Sequence, residues 1–207
     1  ITVDVVLWKK QSDISLEVEY SGSPANGYQI GTISTTPDNI TLAGTEEALK
    51  KLAQDGNKIV IPSDVVDVTD LAADKQIEVN LADYLPPDTR LSSAMNDTAT
   101  IYITVLPVGS IEFPLDVDAI KVKNLASSLT VSYDKKEVIL RINGDSDTLQ
   151  SLTAENISAY IDLQNYTVGD YTIALNVELP YGCSLVDTAD VSLHIKEGAE
   201  TKSGADE

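Results

Sequence analysis

The chain carries one cysteine, Cys183, and one histidine, His194, in 207 residues. A lone cysteine gives no disulfide framework, and without a second histidine or a cysteine cluster neither a usual zinc site nor a Ser-His triad can be assembled. No run of eighteen apolar residues occurs, so the chain holds no helical membrane span of its own. Aromatic residues make up only 5% of the chain, which leaves Val, Ile and Leu to build any core. Basic residues are also scarce: 14 Lys and Arg face 33 Asp and Glu, for a formal net charge of −19. Such an acidic surface repels phosphates and anionic headgroups, which excludes nucleic acid as a partner. No glycine-rich phosphate loop is present, since Gly22, Gly27 and Gly31 lie in and after a turn between strand patterns and not ahead of a helix.

What the chain does have is a repeat. Ile40-Thr41-Leu42-Ala43-Gly44, followed by Leu49 and Leu52, returns as Ile139-Leu140-Arg141-Ile142-Asn143-Gly144 with Leu149 and Leu152. Val68-Thr69-Asp70-Leu71 is matched with Tyr160-Ile161-Asp162-Leu163, and Tyr84-Leu85-Pro86-Pro87 with Glu178-Leu179-Pro180-Tyr181. Each copy closes on a β-rich run, residues 100–105 and 190–195. A period near one hundred is too long for a solenoid unit and suits tandem small domains. The expected division is a first domain over residues 1–107, a second over 108–196, and a disordered acidic tail over 197–207. The link at Pro107-Val108-Gly109-Ser110 is short, so a restricted relative orientation is expected. The chain opens inside a strand pattern, residues 1–8, with no initiator Met or signal peptide, and reads as part of a longer protein.

Within each copy strand signals dominate. Apolar and polar residues alternate over 14–20, 76–81, 120–123 and 189–195, as half-buried strands require. One short helix is expected per copy. Thr45 caps the first, with Glu46 and Glu47 at its positive end and Lys50 and Lys51 at its negative end; Asp145 or Ser146 caps the second. Residues 54–58, present after the first helix only, read as a surface loop. The fold class is therefore mainly β with one short helix per repeat, a β-rich α+β arrangement of two modules.

The residues with chemical potential read as structural. Asp64, Asp67 and Asp70, Asp116 and Asp118, and Asp145 and Asp147 lack the twelve-residue spacing of a calcium loop, and Asp145-Ser146-Asp147 suits a helix cap. Asp70 and Asp162, paired by the repeat, read as turn aspartates accepting backbone amides. Trp8, Tyr20, Tyr28, Tyr160 and Tyr171 are scattered over different strand patterns and read as packing, not as a binding platform. Cys183 has no basic group or helix start near it in the sequence and reads as an inert apolar residue. His194 reads as a surface residue. The sequons at Asn39, Asn96, Asn156 and Asn165 are chance matches in a Ser/Thr/Asn-rich chain. No catalytic, cofactor-binding or metal residue is nominated, and no cofactor is expected.

One family matches these patterns. Gly22-Ser23-Pro24-Ala25-Asn26-Gly27-Tyr28, followed by Pro37-Asp38-Asn39-Ile40-Thr41-Leu42-Ala43-Gly44, resembles the YbbR domain signature, a Gly-x-Pro-x-x-Gly-Tyr turn leading to a strand that ends in glycine before a short helix. In the second copy, Val138 to Gly144, Asn156 to Leu163 and Gly169-Asp170-Tyr171-Thr172-Ile173 resemble the same family's later segments. Leu125-Ala126-Ser127-Ser128-Leu129 replaces the Gly-Tyr turn there, and Ile40 stands where the family often has Val. The resemblance spans residues 1–196. It implies a non-enzymatic, extracytoplasmic regulatory region on the surface of a Gram-positive-type bacterium, anchored through an N-terminal helix absent from this sequence. Its implied partner is a membrane-bound protein, the diadenylate cyclase that makes cyclic di-AMP. The alternative is a secreted or surface module binding glycan or peptide on a β scaffold.

Overall fold

The alternating run at residues 14–20 becomes β1 (Lys9–Val18), which starts earlier and stops sooner than the pattern suggests. Ile14 is fully buried while Ser15 and Glu17 face solvent. The computed structural model describes residues 8–92 and 96–198. The strand pattern read over residues 1–7 and most of the tail read from 197 onward lie outside the described residues. By its contacts the chain divides into two units at the bond between Leu106 and Pro107.

In the first unit β1 is followed by β2 (Tyr28–Thr36), β3 (Asn39–Gly44), α1 (Glu46–Gln54), β4 (Lys58–Ile61), β5 (Lys75–Asn80), β6 (Thr89–Leu91) and β7 (Thr98–Pro107). They form two sheets, ordered β4-β1-β3-β6 and β2-β7-β5. β1 runs antiparallel to β3, with an irregularity between Gln11 and Ile14, and parallel to β4. The parallel pairing follows from α1, which carries the chain back after β3. The inward positions of β7 are Ala99, Ile101, Ile103 and Val105, every second residue, as the strand period demands.

The second unit contains β8 (Ser110–Asp116), β9 (Lys121–Lys123), β10 (Leu129–Tyr133), β11 (Glu137–Asn143), α2 (Ser146–Gln150), β12 (Ser158–Asp162), β13 (Gly169–Ala174), β14 (Asn176–Glu178), β15 (Ser184–Leu185) and β16 (Asp190–Glu197). Its sheets are ordered β15-β11-β8, β10-β16-β13 and β14-β12-β9. The order β8-β11-β15 repeats β1-β3-β6, and β10-β16-β13 repeats β2-β7-β5. The fold is mainly β with one short helix in each of two repeated modules.

The copies differ where residues 54–58 were read as a surface loop. Asp55 closes α1, Gly56 and Asn57 turn at positive φ, and Lys58 already begins β4. Asn57 is tied down as well: its side-chain amide donates to Asp13 O, and its Oδ1 accepts from Gln11 at 2.5 Å. The added residues thus extend a sheet to four strands, where the second unit keeps three. Gaining ladder hydrogen bonds and burying Ile59 and Ile61 outweighs leaving the segment as a loop.

Both helices start by the same device. Thr45 accepts from the Ala48 amide, and Asp145, not Ser146, accepts from the Thr148 amide. Leu49 with Leu52, and Leu149 with Leu152, then sit in the cores of their units. Burial of each such side chain stabilises by about 1.5–3 kcal/mol.

Just ahead of each cap lies a glycine with no room for a side chain. A Cβ on Gly44 would stand 2.9 Å from the Asp88 carbonyl oxygen and 3.4 Å from Leu49. On Gly144 it would stand 2.9 Å from the Cys183 sulfur, 3.2 Å from the Gly182 carbonyl oxygen and 3.3 Å from Leu149. Gly44→Ala and Gly144→Ala should each lower the unfolding free energy by about 1–3 kcal/mol in urea titrations, through overpacking. The Gly44 variant should lose more, because its obstacle is backbone and cannot swing away. Unchanged midpoints for both variants would contradict this packing.

Candidate functional site

The histidine read as an ordinary surface residue is engaged through both ring nitrogens. His194 lies on β16, the central strand of its sheet, and Asp170 sits directly opposite it on β13. Asp134, one residue past β10, approaches from the other side, with its amide bonded to Ser192 O. The Nδ1–H of His194 donates to Asp170 Oδ1 at 2.5 Å, and the Nε2–H donates to Asp134 Oδ1. Donation from both nitrogens at once requires the imidazolium form. The hydrogen bonds to Asp170 and then Asp134, with the charges of both carboxylates, raise its pKa above the usual histidine value. Lys196 follows on the same face of β16, two residues further along.

This trio was invisible in the sequence because its members are 24 and 60 residues apart. Its geometry also limits its chemistry. The carboxylates occupy opposite ring nitrogens, so they cannot converge on one cation, and neither nitrogen is left to take a proton from a substrate. The trio is a polar tie across three strands.

The paired aspartates need a correction. The structural counterpart of Asp162 is Asp67, not Asp70. Asp162 Oδ1 accepts from the Gln164 amide two residues on, as Asp67 Oδ1 accepts from the Thr69 amide. The neighbouring bonds agree: Val68 N to Ser21 O matches Leu163 N to Lys123 O, and Leu71 N to Val68 O matches Tyr166 N to Leu163 O. Asp70 therefore aligns with Asn165, and both adopt positive φ. Sequence matching slipped by three residues because an Asp-Leu pair occurs in both segments, whereas the conserved geometry is that of the turn. The lowered pKa values of Asp67 and Asp162 come from side-chain hydrogen bonds, to Thr69 and Asn124, and then from those backbone amides.

Other candidates fall apart spatially or are occupied. Asp116 accepts from the Asp118 amide, and Asp145 is the α2 cap, its pKa lowered by Thr148. Among the described residues no group of three acidic, histidine or cysteine side chains is placed to hold a metal ion. Tyr171 packs edge-on against Tyr166, with ring centres 4.9 Å apart, and Lys123 stands 3.2 Å from the Tyr160 ring centre. Tyr28 lies against the first core and Trp8 against Arg90, so these rings build no shared platform. Cys183, read as remote from any helix start, in fact touches the position of Gly144, one residue ahead of the α2 cap. That five-residue helix already has its first amides served by Asp145.

A family model described as YbbR-like protein matches residues 14–105 and 113–195. The chain belongs to the YbbR-like protein family. Among solved structures similar to this YbbR-like chain is domain IV of a YbbR family protein of Desulfitobacterium hafniense, 28% identical, covering 43% of this chain and 91% of that one with a TM-score of 0.35. A YbbR-like domain from Listeria monocytogenes is 23% identical over 45% of this chain and 96% of its own, with a TM-score of 0.34. A YbbR-like protein from Streptococcus pneumoniae is 15% identical over 96% and 99%, with a TM-score of 0.29. No curated protein matches the chain.

Two outcomes follow for the second YbbR-like unit. Because the folded pKa of His194 is raised, its contribution to stability is complete below the unfolded value of about 6.5 and is lost as pH rises through the folded value. The melting temperature of wild type should therefore exceed that of His194→Gln at about pH 6, and the gap should close by about pH 9. A gap independent of pH would contradict the tie. The Tyr133 hydroxyl is buried with no hydrogen-bond partner among the described residues, and burial pushes its pKa up. An unmet buried hydroxyl costs roughly 1–3 kcal/mol, so Tyr133→Phe should leave stability unchanged or raise it within that range in urea titrations.

Proposed function

We propose that this YbbR-like chain is a non-catalytic, extracytoplasmic part of a membrane-anchored protein and modulates a membrane-bound diadenylate cyclase by protein contact. The observation that carries the non-catalytic part is the state of the ionisable groups. Those with displaced pKa values, such as Asp67, Asp145, Asp162 and His194, are engaged in turns, caps and strand ties. An active site instead gathers such groups around a space where a reacting atom can sit. Family membership and the tandem repeat support an interaction role, since a duplicated module offers repeated surfaces.

The regulatory part rests on the family resemblance. No helix among the described residues is long and apolar enough to cross a membrane. An acidic chain has no attraction for anionic lipid, so membrane proximity would come from an anchor, and tethering would supply the effective concentration that a weak protein contact needs.

Co-expression of the organism's diadenylate cyclase with the anchored full-length protein, and separately with this chain alone, tests the reading. Cyclic di-AMP levels should change with the anchored form, which should co-purify with the cyclase, and should not change with the untethered chain. Unchanged nucleotide and no co-purification would defeat the regulatory reading. Turnover of a glycoside, ester or peptide substrate that a single carboxylate substitution abolishes would defeat the non-catalytic one.

A further inference from the structure

The outer face of the first unit's larger sheet carries a basic cleft that its repeat lacks. Lys10 on β1 is the register partner of Ala43 on β3, and Ala43 is the partner of Arg90 on β6. Two long cationic side chains therefore flank a methyl-sized floor. Together with Leu91 and Ser92 they line a cleft of about 270 Å³, with no acidic residue among its described lining residues. The guanidinium carbon of Arg90 lies 4.7 Å from the centre of the Trp8 ring. Stacking engages the flat face of a guanidinium and leaves its edge N–H groups to meet an oxyanion. Ser92 is 6% exposed and gives its backbone N–H to Thr41 O.

Lys9, Lys58 and Arg141 are held in ion pairs with Glu46, Glu17 and Asp187. Among the described residues neither Lys10 nor Arg90 forms an ion pair.

The second unit shows that the fold does not require this row. Asn143 pairs in register with Ser110 on β8 and Ser184 on β15, at the positions equivalent to Ala43, Lys10 and Arg90. There the row is neutral, and Asn143 Nδ2 is satisfied internally by Val108 O, Gly109 O and Ser110 Oγ. The same sheet order thus stands with a closed polar row in one copy and an open cationic one in the other.

We propose that the Lys10–Ala43–Arg90 row, with Ser92, is a binding site for one phosphate or carboxylate group carried by a small ligand or by a single residue of an anionic glycan. The cleft is smaller than a typical drug-sized pocket and admits one such group, with Trp8 beside it as a flat neighbour for a ring. This site stands apart from the cyclase reading and does not depend on it.

Trp8 is the only tryptophan in the chain, so its fluorescence reports on this cleft alone. The chain is titrated at fixed ionic strength with inorganic phosphate, glycerol phosphate and glucuronate, with chloride as the control. Amide shifts of Ala43 and Ser92 are followed in parallel. Saturable changes are expected, half-complete at roughly 1–10 mM, the affinity scale of a small ligand held by a few contacts. Lys10→Gln and Arg90→Gln should each raise that midpoint by about tenfold or more, equivalent to about 1.4 kcal/mol, while Lys9→Gln leaves it in place. A response to the two phosphates alone assigns a phosphoryl ligand, and a response to glucuronate assigns an acidic sugar. No saturable response to any of the three anions, or a midpoint untouched in correctly folded Lys10 and Arg90 variants, overturns the proposal.

Discussion

The closure of each module depends on one close approach, at the junction between the β3-type strand and the helix. Gly44 and Gly144 lie where the strand end, the helix start and a turn (at Asp88 in the first unit, at Gly182-Cys183 in the second) meet within van der Waals distance. The turn can reach the strand only because no Cβ intervenes. Once it does, Asp88 O accepts from the Thr45 amide in the first unit. The helix is then held at an angle that drives its leucine pair into the core. A helix of nine residues, and still more one of five, is too short to persist by its own propensity. Its existence is a consequence of that packing and of its caps.

The polar side chains serve the same end. Asp67, Asp116, Asp145 and Asp162 each receive a backbone amide, in turns and caps where the chain leaves regular pairing. Asp134 and Asp170 instead join strands through His194. Six of the 33 acidic residues thus serve as hydrogen-bond acceptors where the fold needs them. Against that background the paired cations of the first unit's outer face are the local exception, and the neutral row of the second unit shows that they are additions to a scaffold that does not need them.

Repetition preserved the core and released the surface. The buried positions of β7 and β16 correspond, as do the strand orders around them, because a one-residue slip would turn every apolar side chain outward. Positions off the core face carry no such penalty. Lys10 stands opposite Ala43 in one copy while Ser110 stands opposite Asn143 in the other. A protein built from such modules can keep one fold and vary its surface from copy to copy.

Sequence alone determined the strand-rich class, the two copies, the short helix in each with its cap and leucine pair, and the family. These are properties of local periodicity and of residues whose backbone preferences are strong. Only the tertiary structure decided that residues 58–61 form an added strand, since pairing with β1 is a contact across forty-three residues. It likewise set the true register of Asp67 with Asp162, which depends on where a turn's amides point, and it assembled Asp134, His194 and Asp170 across three strands. The Lys10–Ala43–Arg90 row was illegible for the same reason. Cross-strand neighbours are chosen by register, and register is fixed by the burial of a whole sheet face rather than by any residue in the row.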